Sequence, residues 1–278
     1  MGLRDIVLLV TIYGSIPFIL RKPFVGILVW YWLSLMNPHR ISWVLTGQPF
    51  AQLIAITMLA SLLMHSDEKK RIPGNSITFL LAGFWVWILA TTLFSLYPDL
   101  AWPQLTKVSK ILLTTFIAIA VVNSKERLEA LVVVVSFSIA FYGFKGGAFT
   151  LMTGGGYRVW GPTGTFIGGN NEIGLALIMT IPLLFYLRSL LDYKRLRQLM
   201  LVGIVLCLFA ILGTQSRGAL VGVVAMGLTM ILKSDNRPRY LLLVLVMVPL
   251  VLWFMPETWY DRMSTISSFE QDGSAMGD

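Results

Sequence analysis

The chain has 278 residues, of which 56% are hydrophobic and 13% are charged, about half the charged fraction of an average soluble domain. So few charges cannot cover a water-soluble globule of this length, and the composition therefore predicts a protein whose main solvent is lipid. The net charge of +8 would suit a nucleic-acid partner, but the Lys and Arg residues lie in short clusters between apolar runs, as in membrane loops.

Apolar segments predict an all-α, polytopic integral membrane protein with about 9–10 transmembrane helices. In chain order the segments are 6–20, 24–36, 50–64, 77–96, 105–122, 128–144, 173–187, 199–213, 219–232 and 240–255. Several are shorter than the roughly 20 residues that cross a bilayer core. The first two are separated only by Arg21-Lys22-Pro23, so they form either a tight hairpin or one broken span. Residues 1–255 are predicted to be a single transmembrane domain.

The distribution of basic residues predicts the orientation of these segments. Most of the 22 Lys and Arg residues lie in one set of alternating loops, which the positive-inside rule places in the cytoplasm. The remainder lie at segment ends that are predicted to face outward, and we expect function there. These residues are Arg4, Arg40, Lys107, Lys110, Lys145, Arg158, Arg217 and Arg262.

Two polar stretches interrupt the apolar pattern on the predicted outer side. Residues 145–171 are Gly-rich and too polar to continue a helix, so the sixth segment is expected to end at Lys145. Residues 256–278 begin a polar loop, and their acidic run stops without a feature typical of a terminus. We therefore expect the chain to be the N-terminal part of a longer protein.

The strongest local feature is Gly213-Thr-Gln-Ser-Arg-Gly-Ala219, where one apolar segment reaches the outer face and the next begins. Arg217 is therefore predicted at a helix N-terminus, with Thr214 or Ser216 as its cap and Gly218 allowing close approach. A guanidinium beside unpaired backbone N–H groups forms an anion site. The alternative is an arginine that extends to the membrane interface without a ligand.

Further cations are predicted on the same outer side. Lys107 and Lys110 share one helical face, Lys145 and Arg158 flank the Gly-rich stretch, and Asn170 and Asn171 are candidate N-caps of the seventh segment. Together they predict an outward-facing cationic basin at the membrane surface. Its expected ligand is a diphosphate attached to a lipid, although each cation could instead extend to the interface unliganded.

Other chemistry is poorly supported by the sequence. Signatures of soluble enzymes and of metal sites are absent, and the single cysteine, Cys207, lies in an apolar run, where a packing role is expected. Both histidines, His39 and His65, are expected to be solvated loop residues. His39 keeps an alternative role as a base at an outer-face site.

Four motifs in order resemble the O-antigen ligase superfamily of membrane glycosyltransferases. They are Met36-Asn-Pro-His-Arg40, Phe141-Tyr-Gly-Phe-Lys-Gly-Gly147, Tyr157-Arg-Val-Trp-Gly-Pro162 with the following Thr-Gly-Thr-Phe-Ile-Gly-Gly-Asn-Asn171, and the element around Arg217. The set is most similar to O-glycosylation ligases associated with exosortase systems.

This resemblance implies inverting, metal-independent transfer of a glycan from undecaprenyl diphosphate to an acceptor hydroxyl, without a cofactor or nucleic acid. It implies a multi-pass protein of the bacterial inner membrane, active on its periplasmic face, with a protein or lipid acceptor. Arg217 would hold the diphosphate, with Arg158 as a second contact and Lys145 beside them. The catalytic base is expected to be a histidine downstream of Asp278, so that the 278-residue chain alone would be inactive.

Three alternatives remain open at this level. A polymerase of the same superfamily would use the same donor but extend another lipid-linked glycan. A transporter of lipid-linked glycans would be expected to show repeats and ionisable residues near the membrane midplane. A non-catalytic scaffold would tolerate loss of Arg158 and Arg217.

Overall fold

The computed structural model describes residues 2–42, 44–65 and 72–234, together with residues 237–238, 242, 245, 249, 253, 255–257 and 259–260. Every regular element within these residues is helical, which confirms the predicted all-α class. In chain order they are α1 (Leu3–Arg21), α2 (Pro23–Met36), a 3₁₀ turn (Pro38–Ile41), α3 (Phe50–Met64), α4 (Ser76–Leu93), α5 (Pro98–Val121), α6 (Lys125–Met152), α7 (Asn170–Ser189), α8 (Lys194–Gly213) and α9 (Arg217–Leu232).

Six of the described helices are long and apolar enough to cross a membrane: α1, α4, α5, α6, α7 and α8. The other three, α2, α3 and α9, are shorter, with 14, 15 and 16 residues. The protein is therefore a multi-pass membrane protein, while the predicted total of about 9–10 spans stays a prediction. Most of the predicted segment 240–255 lies outside the described residues.

The chain forms two compact units, Met1–Val134 and Val135–Asp278, and α6 contributes to both. In the first unit, an extended Lys22 separates α1 from α2, and both helices pack against α3. Gly26 allows this contact, because a Cβ there would lie 2.9 Å from the Cβ of Met58. The Ser61 hydroxyl donates a hydrogen bond to the Ile19 carbonyl oxygen at 2.6 Å, which joins α3 to α1.

Helices α4 and α5 also pack together in the first unit. The Trp85 indole N–H donates to the Ser109 hydroxyl at 2.9 Å, and its ring stacks on Phe116 at 5.9 Å between centroids. Because α5 already begins at Pro98, the prediction that Lys107 and Lys110 open this helix is wrong. Both lysines lie well inside α5, and both are exposed.

The second unit is built from the later part of α6 with α7, α8 and α9. Helix α6 runs on to Met152, so the prediction that it ends at Lys145 is wrong. The glycines that suggested an end are packing positions. A Cβ on Gly147 would overlap the Leu206 carbonyl of α8, and one on Gly143 would collide with Cys207. Small residues let membrane helices approach closely, which explains a glycine-rich helix here. Cys207 is fully buried, as the packing prediction requires.

Replacing Gly147 with alanine should destabilise the protein, because the new methyl group would displace the α8 backbone. Overpacking of this kind costs about 1–3 kcal/mol, which thermal unfolding of the purified protein in detergent micelles measures. Gly227→Ala is the matched control, since no atom lies within 4 Å of a Cβ at this helical position. Equal unfolding temperatures for Gly147→Ala and Gly227→Ala would contradict close α6–α8 packing.

Candidate functional site

Four helix ends meet at one end of the second unit. The Gly-rich loop, residues 153–169, connects α6 to α7, and the α8–α9 turn, residues 214–216, connects the next two helices. The Val159 amide of the loop donates to the Gly213 carbonyl oxygen at the end of α8 at 2.8 Å. The Asn170 side chain at the start of α7 donates to the Thr214 carbonyl oxygen at 3.1 Å. We call this region the loop end of the second unit.

Ser216 sets the start of α9. Its hydroxyl oxygen accepts from the Ala219 amide at 3.1 Å, so Ser216 is the N-cap and Arg217 is the first helical residue. The same hydroxyl donates to the Asn171 side-chain oxygen at 2.6 Å. Thr214, the other predicted cap, instead donates to the Ile211 carbonyl oxygen at 2.6 Å. The Arg217 backbone therefore lies where the first N–H groups of a helix give a positive potential.

Asn170 and Asn171 are brought to this site, but they are not N-caps. Gly169 is the N-cap of α7, without a side-chain bond, so the predicted capping role is wrong. A helix N-cap accepts from its own first turn, whereas both asparagine side chains bond to the α8–α9 turn. They therefore fix the start of α7 against the start of α9.

The C-terminal carbonyls of α8 are occupied by groups from other segments. Besides the bonds to Gly213 and Thr214, the Trp259 indole donates to the Leu212 carbonyl oxygen at 3.3 Å. The last carbonyls of a helix otherwise present a negative potential. Their pairing means that these carbonyls already have donors from the loop, from α7 and from Trp259. Trp259 was missed at the sequence level because it lies in a polar stretch far from α8 in the chain.

Gln215, which sequence reasoning passed over, links the turn to the Gly-rich loop. Its side-chain nitrogen Nε2 donates to the Gly155 carbonyl oxygen at 3.0 Å, and its Oε1 accepts from Arg158 Nε at 3.4 Å. Gln215 has a φ of 51°, and Gly155 has a φ of 75°. An unusual left-handed conformation at a buried glutamine is a signal that only the structure reveals.

Arg158 and Arg217 are both half-buried at the loop end. The positive charges of both side chains add to the potential at the helix starts. Glu172, on the first turn of α7, brings one exposed carboxylate to the same end. The exposed rings of Tyr157 and Trp160 flank Arg158 in the chain, as aromatic residues do at membrane interfaces.

Of the three predicted lysines, only Lys145 belongs to the unit that contains this cluster, and no hydrogen bond or ion pair described for the second unit joins it to the cluster. Lys145 is exposed on α6, about two turns before its end at Met152. Lys107 and Lys110 belong to the first unit. Within the described residues, no group of three or more His, Cys, Asp or Glu side chains could hold a metal ion.

His39 lies in the first unit, and the prediction that it is a solvated loop residue is wrong. Its side chain is only 8% exposed, and it packs edge-on against Phe50 with 6.0 Å between ring centroids. Its Nδ1 atom is buried without a hydrogen-bond partner. Burial, followed by the neighbouring Arg40 charge, lowers the pKa of His39 below its ordinary value of 6.5. The ring is therefore neutral at neutral pH, and its proposed role as a base stays a prediction.

Acidification should destabilise the protein through His39. Above pH 6.5 the ring is neutral in both the folded and unfolded states, so the contribution is fully present. Below that value the unfolded chain takes up a proton before the folded protein does, and stability falls. Thermal unfolding followed from about pH 7.5 to about pH 5.5 should show this slope in the wild type and a flatter one in His39→Gln. His65→Gln is the control that should keep it, and an unchanged slope in His39→Gln would refute the effect.

Comparison with known proteins yields two family matches, of which the first ends just before α8 and the second begins within it. Residues 3–192 match a family of unknown function, DUF5935, and residues 202–277 match the O-antigen ligase family. Arg158, Asn170 and Asn171 lie in the first match, and Ser216 and Arg217 in the second. No curated protein and no solved structure matches the chain. Since the first match covers well over half of the 278 residues, this membrane protein belongs to DUF5935, and its residues 202–277 are O-antigen ligase-like.

Proposed function

We propose that this protein is a membrane glycosyltransferase that transfers a glycan from undecaprenyl diphosphate to an acceptor hydroxyl. Arg217 and Arg158 would bind the diphosphate at the loop end of the second unit. The observation that carries the proposal is the convergence of these two arginines with the starts of α7 and α9, within a chain whose residues 202–277 match O-antigen ligases. The four ordered motifs further favour the exosortase-associated O-glycosylation ligases, and this subtype is part of the proposal.

The proposed chemistry is a displacement at the anomeric carbon of the donor sugar. The acceptor oxygen forms the new bond as the bond to the diphosphate breaks, and the configuration inverts. Negative charge then grows on the leaving diphosphate, so prepositioned donors lower the barrier most if they contact its oxygens. Arginine suits this role because its planar fork can donate two parallel hydrogen bonds to a phosphate. We propose that these cations supply the charge neutralisation without a metal ion.

The amide groups at the start of α9 would add a second set of donors. Ser216 holds the first turn in place, and Gly218 is exposed, with only the Ser216 hydroxyl within 4 Å of a Cβ built there. A phosphate can therefore approach the backbone without a side chain in the way. The proton of the acceptor hydroxyl would pass to a base that we do not assign among the described residues.

Charge at the two ends of the second unit supports a periplasmic active face. Helices α7 and α8 each have 20 residues, or roughly 30 Å of length, so their other ends lie far from the loop end. Four basic side chains lie in the connection there and at the adjoining helix ends: Arg188, Lys194, Arg195 and Arg197. The positive-inside rule favours the cytoplasm for that end, which leaves the loop end facing the periplasm of the inner membrane.

Arg217→Ala in the full-length protein should reduce glycan transfer by about 100-fold, the usual loss when one preorganised donor to a developing anion is removed. Arg217→Lys keeps the charge but loses the fork, so its activity should be intermediate. Transfer can be measured in membranes that contain the lipid-linked donor and an acceptor, with protein amounts equalised by immunoblot.

Arg195→Ala is the matched control, because it removes one arginine at the opposite end of the second unit and should leave transfer near the wild-type rate. Near-normal transfer by Arg217→Ala would rule out its role in diphosphate binding. Products that are lengthened lipid-linked glycans, rather than a glycosylated acceptor, would identify a polymerase instead of a ligase.

A further inference from the structure

We infer that Gln215 is a positioning residue that orients the Arg158 guanidinium toward the donor diphosphate. This inference rests on the proposed function, because it gives Gln215 its task through Arg158. Gln215 lies in the α8–α9 turn, directly between Thr214 and Ser216, whose groups bond to the start of α7. No ligand contact is assigned to Gln215 itself.

The geometry of the Gln215 amide favours this role. The side chain is buried, with 5% of the residue exposed, so its amide has little water with which to exchange bonds. Its donor is taken by the Gly155 carbonyl oxygen at 3.0 Å, and its acceptor faces Arg158 Nε at 3.4 Å. An amide held at one end by the backbone presents its oxygen in a fixed direction.

The bond to Nε matters because of the shape of the arginine side chain. When Nε is engaged from one side, the two terminal nitrogens of the guanidinium remain as the donors for a phosphate. That bond also restricts the orientations that the guanidinium plane can adopt. Without the Gln215 oxygen, Arg158 would keep its charge but lose this constraint on its orientation.

The backbone of Gln215 gives a second, independent reason. A non-glycine residue at a φ of 51° is disfavoured, and glycine or asparagine would fit this conformation better. An asparagine amide is one methylene shorter, and a glycine has no amide, so neither can span the distance between the Gly155 carbonyl and Arg158. A disfavoured residue held in place by surrounding contacts is a typical feature of functional sites.

The test is a double-mutant cycle in full-length protein reconstituted in nanodiscs, with binding of undecaprenyl diphosphate as the measurement and undecaprenol as the control for tail binding. Gln215→Gly and Gln215→Asn should each weaken binding about 10-fold, the scale of one lost hydrogen bond to a charged group. In an Arg158→Ala background, the same substitutions should change the dissociation constant by less than about 2-fold.

Two controls separate positioning from damage to the fold. Both replacements suit the left-handed backbone, so unfolding temperatures should stay close to the wild-type value. Gln48→Gly removes an exposed glutamine next to Gly47, another left-handed position of the chain, and should leave binding unchanged.

Wild-type affinity in both Gln215 variants would overturn the inference. An equal loss in the presence and absence of Arg158 would overturn it too, because Gln215 would then act only through the Gly-rich loop. If Arg158→Ala and Arg217→Ala themselves bind undecaprenyl diphosphate like the wild type, the proposed function fails and this inference fails with it. Weakened binding in those two variants with normal binding in the Gln215 variants would refute the positioning role alone.

Discussion

The loop end of the second unit depends on the three residues of the α8–α9 turn, each of which bonds to another segment of the chain. The Thr214 carbonyl oxygen accepts a hydrogen bond from the Asn170 side chain. The Gln215 side chain bonds to Gly155 and Arg158. Ser216 bonds to Asn171 and is the N-cap of α9. A single tight turn thus sets the start of α7, the start of α9 and the path of the Gly-rich loop. The two arginines are positioned as a consequence of this backbone arrangement.

These bonds also meet a general requirement at the ends of membrane helices, where backbone groups lack intrahelical partners. Backbone groups near hydrocarbon must be hydrogen-bonded, and the anion site that we propose would also need donors that can reach its ligand. Here the acceptors at the end of α8 are filled by Val159, Asn170 and Trp259. At the start of α9 the Ser216 hydroxyl accepts from the Ala219 amide. In the anion site that we propose, the pairing of these carbonyls removes competing acceptors, while the arginines supply the positive charge.

Much of the fold was predictable because apolar runs and helices nearly coincide, and α3 matches its predicted segment residue for residue. The errors arise where a residue type has two physical uses. The glycines of α6 were interpreted as helix breakers, but they are points of close helix contact. Asn170 and Asn171 were interpreted as caps, but their side chains bond to the α8–α9 turn. His39 follows a proline in a polar stretch, and only tertiary packing against Phe50 buries it. The bonds of Gln215 and Trp259 span 60 and 47 residues, which no local pattern encodes.

The two arginines also differ in what holds them, and this difference follows from their positions. Arg217 is the first residue of a capped helix, so its backbone direction is determined by α9 itself. Arg158 lies in a loop without regular structure, and a loop residue keeps more conformational freedom than a helical one. A flexible cationic side chain loses conformational entropy when it binds a ligand, and a side chain that is already held in its bound orientation loses less. The buried Gln215 amide bonds to Arg158, the arginine whose backbone lies in a loop. Arg217 needs no such partner for its backbone, because α9 fixes it. A left-handed glutamine costs roughly 1–2 kcal/mol, about as much as one or two hydrogen bonds contribute, so the two side-chain bonds of Gln215 offset the cost of its backbone conformation.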